Sequence, residues 1–475
     1  MNICLVRIVE FFDKPSSHPR DVIPSFELLT IATMLRNKNH TVSYLDNEVL
    51  QCTKDDLEKL LLKKRCEIYI FHFQPIVNNS VSKIIKRIKK KKRSLVLAFG
   101  PSADYQTNEL LLASSVDFAL LGEPEQTAVE IIKLYEKNKR FSYKQKQSIL
   151  GAAFIEKNKL CINKTRPLVN PDDLPFLAHD LIDNKQYRVV SKIIKPRGTI
   201  RWGFLLSSRG CPYNCTFCAP SIRNSVGKPF RFQSIKRTVD EIEYLITTFS
   251  VNAISFEDDI FTFNDQRIID LCEEIVRRKL VFSWTAATRL DRLNETTVAL
   301  MKIAGCTGLS AGVESGSDRI LKLSRKGVTT EGLLKGAKIL ERCGVALTTN
   351  FIVGHPTETL DDILATMKFA RQINPALIHL HYMTPYPGTE LYTRYKDEIK
   401  DFTTFSHWRI HEFNASAMST EQLKQMVSKI YKNYYFSFTY LKTYMKYRLR
   451  YWLNDPIYEF TFIKRTVIYL LFNKS

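Results

Sequence analysis

Gly203-Phe-Leu-Leu-Ser-Ser-Arg-Gly-Cys211-Pro-Tyr-Asn-Cys215-Thr-Phe-Cys218 decides how the chain is read. A short apolar run of strand length, Gly203–Ser207, leads straight into a loop carrying three cysteines at C-x3-C-x2-C spacing. Thiolates gathered on one short loop are soft metal ligands, and this spacing points to a metal centre. They cannot complete a tetrahedral zinc site without a fourth ligand. No His or Cys stands close by in sequence to supply one, which leaves a distant ligand open. A cuboidal iron–sulfur cluster suits three thiolates better, with one iron left open for a substrate or cofactor.

Outward from the loop, apolar runs and helical patterns alternate. Candidate strands are Gly203–Ser207, Ala253–Phe256, Phe282–Ala286, Gly308–Val313, Leu347–Val353 and Leu377–Tyr382, separated by helical patterns over 234–249, 264–278, 294–303, 330–342 and 359–373. Six β/α units are too few for a closed eight-stranded barrel but suffice for an open, partial one. Function in such architectures sits at the carboxyl ends of strands, which is where the cysteines fall. Upstream, strand runs Ile3–Ile8, Thr41–Leu45, Ile68–His72, Leu95–Phe99 and Phe118–Leu121 alternate with amphipathic stretches, predicting a doubly wound parallel sheet. Residues 145–200 carry Pro167, Pro171, Pro175 and Pro196 and little periodicity, so they read as a linker opening with a small hairpin around Ala152–Phe154 and Leu160–Ile162. The expected organisation is therefore α/β: a Rossmann-like domain over 1–145, a linker over 146–198, a partial (β/α)6 barrel over 199–400 and a helical, basic and aromatic tail over 401–475.

Composition bounds the rest. The chain has 475 residues, 44% hydrophobic and 25% charged, which excludes a disordered or fibrous protein. Lys and Arg number 70 against 49 Asp and Glu, a net +21 that would suit a polyanionic partner. The amino-terminal run Lys83–Arg93 has Ile84, Ile85 and Ile88 at helical spacing, so it reads as a solvated helix face rather than a nucleic-acid site. From Lys424 onward, ten basic residues face only Asp455 and Glu459, interleaved with tyrosines and phenylalanines. That mixture suits peripheral contact with anionic lipid, a helical cap over the barrel, or single-stranded RNA. No run reaches the roughly 18 apolar residues of a membrane span. The start lacks the features of a signal peptide, so a cytoplasmic protein is expected, with ten reduced cysteines.

On the cysteine loop the chain resembles the radical S-adenosylmethionine (SAM) superfamily, whose signature is this spacing with an aromatic residue before the last cysteine; Phe217 matches. The resemblance implies a 4Fe–4S cluster held by Cys211, Cys215 and Cys218, with SAM chelating the open iron and Phe217 beside the adenine. It also implies reductive cleavage of SAM to methionine and a 5′-deoxyadenosyl radical, fed by an electron donor such as flavodoxin or ferredoxin. Further stretches match in family order. Ile254-Ser-Phe-Glu-Asp-Asp-Ile-Phe261 would offer Asp258 or Asp259 to the SAM amino group. Gly312-Val-Glu-Ser-Gly-Ser-Asp318 would offer Glu314 to the ribose or amine, with Arg325 pairing the carboxylate. Asn350-Phe-Ile-Val-Gly-His-Pro-Thr-Glu358 resembles the adenine motif, Asn350 departing at its first position, and Gly354 would let backbone approach. Tyr386-Pro-Gly-Thr389 matches the stretch after the sixth strand. His379 and His381 share one face of that strand, as substrate contacts or as an already satisfied polar layer.

The amino-terminal domain resembles the cobalamin-binding domain of the cobalamin-dependent (class B methylase or cyclase-like) members. The matching stretches are Pro24–Leu35, Tyr44–Asp46, Phe99-Gly-Pro-Ser102 and Leu121-Gly-Glu-Pro-Glu-Gln-Thr127, with departures at Phe99 and Pro124. This implies a corrin over the carboxyl ends of the sheet and methylation, ring formation or rearrangement at an unactivated carbon of a lipid-like or natural-product molecule. Two alternatives stand beside it: a tRNA methylthiotransferase-like enzyme, and a non-catalytic iron–sulfur binding or sensor protein. The former calls for a second cysteine triad, whereas Cys4, Cys52 and Cys66 are scattered, so nucleic acid is not the expected partner.

Overall fold

The computed structural model describes residues 1–8, 21–73, 79–189, 191–194, 198–218, 229–399, 405, 407–408, 413–454, 456, 459–460 and 463–464. The first sheet contains β1 (Asn2–Ile8), β2 (Thr41–Asp46), β3 (Ile68–Phe73), β4 (Leu95–Phe99), β5 (Phe118–Leu120), β6 (Ala152–Glu156) and β7 (Lys159–Ile162), in the order β2-β1-β3-β4-β5-β6-β7. Strands β1 to β5 run parallel. Alternate residues of β1 feed opposite faces, Ile3 and Leu5 into one apolar cluster and Cys4 and Val6 into another, so helices cover both sides. Strand order reverses between β1 and β3, which places the crevice of a doubly wound sheet at their carboxyl ends. The hairpin β6–β7 pairs antiparallel with β5. It therefore belongs to the first sheet and not to the linker in which the sequence placed it. In the helix Asn79–Lys92, Ile84, Ile85 and Ile88 are fully buried while Lys83, Lys86, Arg87 and Lys90 are exposed, as their spacing predicts.

The second sheet begins with β8 (Trp202–Leu205). A small antiparallel pair follows, β9 (Ser208–Arg209) and β10 (Arg231–Phe232), and then β11 (Ala253–Phe256), β12 (Ser283–Thr288), β13 (Cys306–Glu314), β14 (Ala346–Val353) and β15 (Leu377–Tyr382). Strands β8-β11-β12-β13-β14-β15 are parallel in that order and form an open, six-stranded partial barrel. Most of the helices that follow the strands open on a capping side chain. Ser234, Asn264, Asn294, Thr329 and Thr359 each accept a backbone N–H from the first turn of the helix that follows. The outward faces, including Ile254, Trp284, Leu309 and Phe351, pack under these helices in one core.

The inward face is shaped by the linker. Ile193 packs against Ala346 at the start of β14, Leu377 at the start of β15, and Tyr447 of the tail. A Cβ on Gly308 of β13 would lie 2.5 Å from the Ile193 carbonyl oxygen, so only glycine leaves room for the linker there. Next to it, Lys192 Nζ donates to Ser255 Oγ (3.1 Å) and Glu257 Oε1 (2.9 Å), and the Ser191 carbonyl lies 3.3 Å from His379 Nε2. The linker is thus the floor of the barrel's interior. The tail packs against the barrel from outside. Its helix Thr420–Tyr435 packs Leu423, Met426, Val427 and Ile430 into the barrel core, and the helix Phe438–Asn454 crosses the amino end of β15. There Asn374 Nδ2 donates to Thr443 Oγ1 (2.7 Å), and buried Arg448 pairs with Glu459 (2.7 Å). A helical cap, one of the expected roles of the tail, is what the structure has; Arg465 and Lys474 lie outside the described residues. Among the described residues no helix is long and apolar enough to cross a membrane.

Gly308→Val forces the Ile193 backbone out of the barrel and should cost about 1–3 kcal/mol. Thermal unfolding should show a lowered midpoint, whereas Gly332→Ala, at a helical position with room for a methyl group, should not lower it. Equal midpoints for the two variants would contradict the linker's place in the barrel.

Candidate active site at the mouth of the barrel

Cys211, Cys215 and Cys218 follow β9, half-buried and free of disulfides. A turn closes the loop, Cys218 N–H donating to the Cys215 carbonyl (3.2 Å). Thr216 pins it on both sides: its N–H donates to the Ser324 carbonyl (3.1 Å), and its carbonyl accepts from Leu391 N–H (3.4 Å). Burial pushes all three thiols up, Cys218 to about 12, with Cys215 and Cys211 adding to the shift at Cys218. Thiols this hard to ionise become ligands when metal binding supplies positive charge. Among the described residues, no three His, Cys, Asp or Glu side chains are gathered about a single ion. The case for a cluster rests on three cysteines carried by one short loop, near enough for Cys211 and Cys215 to act electrostatically on Cys218, and on the charges around them.

The carboxylates sort into two kinds. Asp258 is buried and already occupied: it accepts from Ser207 N–H (3.2 Å), Ser207 Oγ (2.9 Å) and Ser208 Oγ, tying the end of β11 to the strand that leads into the cysteines. Its neighbour Asp259 is exposed and close enough to Cys211 and Cys218 to raise both thiols. Of the two aspartates named by the sequence, Asp259 is the one beside the cysteines. Glu314 ends β13 at a register shift against β14, with φ +67°, a strained conformation for a residue bearing a side chain. The bend aims its carboxylate at Lys326 Nζ, 2.8 Å away. Gly312 makes the space, since a Cβ there would meet both Glu314 and Lys326.

Arg325 and its neighbour Lys326 are placed differently. Arg325 points outward and pairs with Glu390 (2.7 and 2.8 Å), both side chains about half exposed. Lys326 is largely shielded, its side chain 12% exposed, and acts on all three cysteines. Burial opposes its charge, but Glu314 and Cys215 outweigh burial and hold its pKa above the usual lysine range. Arg289, at the end of β12, was not singled out from the sequence. It lies 3.9 Å from the centre of the Tyr213 ring inside the cysteine loop, donates to the Lys326 carbonyl (3.1 Å) and pairs with Asp291 (3.1 Å). A basic residue at the carboxyl end of a strand was the available signal.

On the far side, the Phe217 ring meets His355 edge-on, centroids 6.1 Å apart. Burial holds His355 neutral, its pKa lowered to about 3. Glu358 accepts from Gly354 N–H (2.6 Å) and His355 N–H (3.2 Å), and burial drives its carboxyl up to about 8. Gly354 has φ +86° and a Cβ there would lie 3.1 Å from Leu423, so the turn and the packing of the tail helix both favour glycine here. Deeper in the barrel, Asn350 donates to Ser310 Oγ (3.3 Å) and accepts from His381 Nε2 (3.1 Å). That leaves the buried His381 Nδ1 as an acceptor with no partner. The expected polar layer is present, but only partly satisfied.

The first domain closes over this mouth. Arg209, two residues before Cys211, pairs with Glu125 (2.6 Å) and Glu123 (3.5 Å), and Arg231 grips Glu123 (2.6 and 3.1 Å). Tyr105, just past β4, lies flat against Gly388, where a Cβ would come within 2.6 Å of its ring. The carboxyl ends of the two sheets therefore face each other.

Residues 205–370 match the model of the radical SAM superfamily. An uncharacterized methyltransferase of Pyrococcus horikoshii is 30% identical over 423 residues, 87% of this chain and 88% of its own length. The chain belongs to the radical SAM superfamily. An anaerobic magnesium-protoporphyrin IX monomethyl ester cyclase of Cereibacter sphaeroides is 26% identical over 60% of this chain and 46% of its own. TsrM from Kitasatospora setae, a radical SAM methyltransferase solved with cobalamin and a 4Fe–4S cluster, superposes with a TM-score of 0.64 at 16% identity, over 84% of this chain and 78% of its own. At that identity the likeness establishes the fold: a Rossmann-like sheet before a radical SAM barrel. As a radical SAM enzyme the protein takes a 4Fe–4S cluster and SAM. Its site fits them, offering three thiols, a buried ammonium and an exposed carboxylate around one mouth.

Cys215→Ala should leave the anaerobically reconstituted protein without cluster absorption and unable to release 5′-deoxyadenosine from SAM. Full retention of both by the variant would contradict the assignment.

Proposed function

We propose that this radical SAM enzyme binds cobalamin between its two domains and methylates a carbon of a small substrate held in the barrel. The observation that carries the proposal is the apposition of the two carboxyl ends through Arg209, Arg231, Glu123 and Glu125. The residues of the first sheet fit a corrin there. Phe99, a bulky departure at the glycine-rich turn, is buried in the core and stacks on His72, centroids 4.6 Å apart, so it does not obstruct the mouth. Gly122, at the end of β5, has open space where a Cβ would stand. Pro124, the other departure, supplies the fixed φ that opens the helix Glu125–Asn138. The name of the P. horikoshii relative favours methyl transfer over ring closure.

When bound, the cluster and corrin supply one-electron cleavage of SAM and a carrier for its methyl group. In this reading Cys211, Cys215 and Cys218 hold the cluster, and Asp259 accepts from the SAM amino group. Lys326 pairs the SAM carboxylate and Glu314 positions Lys326, while Phe217 and Gly354 border the adenine. A flavodoxin- or ferredoxin-type donor delivers the electron. The interior lining of Ser255, Thr285, Ser310, Asn350, His379 and His381 suits a substrate with hydrogen-bonding groups better than a purely aliphatic one. Cys4 is buried, Cys52 and Cys66 pack against the same apolar cluster, and the tail is helical, which disfavours a methylthiotransferase-like reading.

Anaerobic purification with hydroxocobalamin tests the cofactor. Stoichiometric corrin retention beside an intact cluster is expected; a full cluster without corrin would overturn the proposal. Lys326→Met, losing a buried charged hydrogen bond, should weaken SAM binding about ten-fold or more, while Arg325→Met should leave it near wild type. The opposite order in a SAM titration would restore Arg325 to the site.

A further inference from the structure

The tail helix Phe438–Asn454 buries only one of its faces. Tyr440, Thr443, Tyr447 and Arg448 point into the protein. On the opposite side Phe438 is 81% exposed, Leu441 53%, Met445 50%, Leu449 44% and Trp452 37%. At 3.6 residues per turn these five positions fall within an arc of about 80°, a continuous apolar stripe open to solvent. Lys442 and Lys446, both exposed, continue the arc on one flank. Lys446 Nζ lies 3.4 Å from the Glu341 carbonyl, and the described acidic group nearest in sequence, Glu459, is buried in its pair with Arg448. A soluble surface rarely leaves such a stripe uncovered.

We infer that this face docks on an anionic lipid surface, the stripe entering the headgroup boundary and the lysines meeting lipid phosphates. Charge favours this occupant over a second copy of the chain. Pairing two stripes would bring Lys442 and Lys446 of both copies together, on a protein already carrying +21. The helix crosses the amino ends of the barrel strands, away from the cysteines, so the contact tethers the enzyme and leaves the mouth facing the first domain. This inference does not depend on cobalamin or on the identity of the substrate.

The test is flotation of the full chain with phosphatidylcholine vesicles and with mixed phosphatidylcholine–phosphatidylglycerol vesicles. Binding to the mixed vesicles alone, weakening as salt is raised, is expected. The triple variant Phe438→Glu, Met445→Glu, Leu449→Glu should stay unbound. Should it not fold, Lys442→Ala with Lys446→Ala carries the test, each lysine costing about five-fold in partitioning. Three results would overturn the inference: no flotation of the wild type with anionic vesicles, undiminished flotation of both variants, or a wild-type dimer that the triple variant dissolves and that ignores vesicles.

Discussion

Two arginines beside the cysteine loop and two glutamates at the end of the first sheet hold the molecule in its working arrangement. Arg209, 12% exposed at its side chain, reaches the fully buried Glu125, and Arg231 fixes Glu123 bidentately. Removing one member of such a pair strands a buried charge, at a cost of about 3–5 kcal/mol. That cost holds the orientation in which the carboxyl ends of the two sheets meet. The Arg209 side of the lock is two residues from Cys211, so domain closure and cluster geometry are mechanically one feature.

Inside the mouth, electrostatics follow from burial. Three half-buried thiols resist ionisation, and the protein answers with Lys326 and Arg289 rather than with solvent. Lys326 stays charged because Glu314 is bent onto it by a left-handed residue at a strand bulge, where Gly312 leaves the space. Strain at Glu314 is thus the cost of a buried ammonium facing a metal loop. Ile193 of the linker and Tyr447 of the tail pack together at the other end of the barrel.

Much of this was legible in the sequence. Strand runs and helical periods located both sheets to within a few residues, because buried parallel strands and amphipathic helices advertise themselves locally. The cysteine loop was unmistakable for the same reason. What escaped was set by contacts distant in the chain. Arg325 and Lys326 are adjacent and equally basic, and only the turn after β13 decides which enters the core. Asp258 and Asp259 differ only in which one meets Ser207 and Ser208. Nothing local in Ser191–Ile194 foretold a linker threaded into the barrel, although Gly308, a glycine in mid-strand, was its trace. The hairpin β6–β7 was seen, but its pairing with β5 was not, because edge pairing leaves no periodic signal.

The measurement that bears most directly on a single shared chamber is electron paramagnetic resonance of protein loaded with both cofactors. With the corrin in its cob(II)alamin state and the cluster reduced in the presence of SAM, the two spins should broaden or split one another's signals. The coupling should disappear when Arg209→Ala and Arg231→Ala release the first domain. Two full signals that ignore each other would contradict a chamber built between the two sheets.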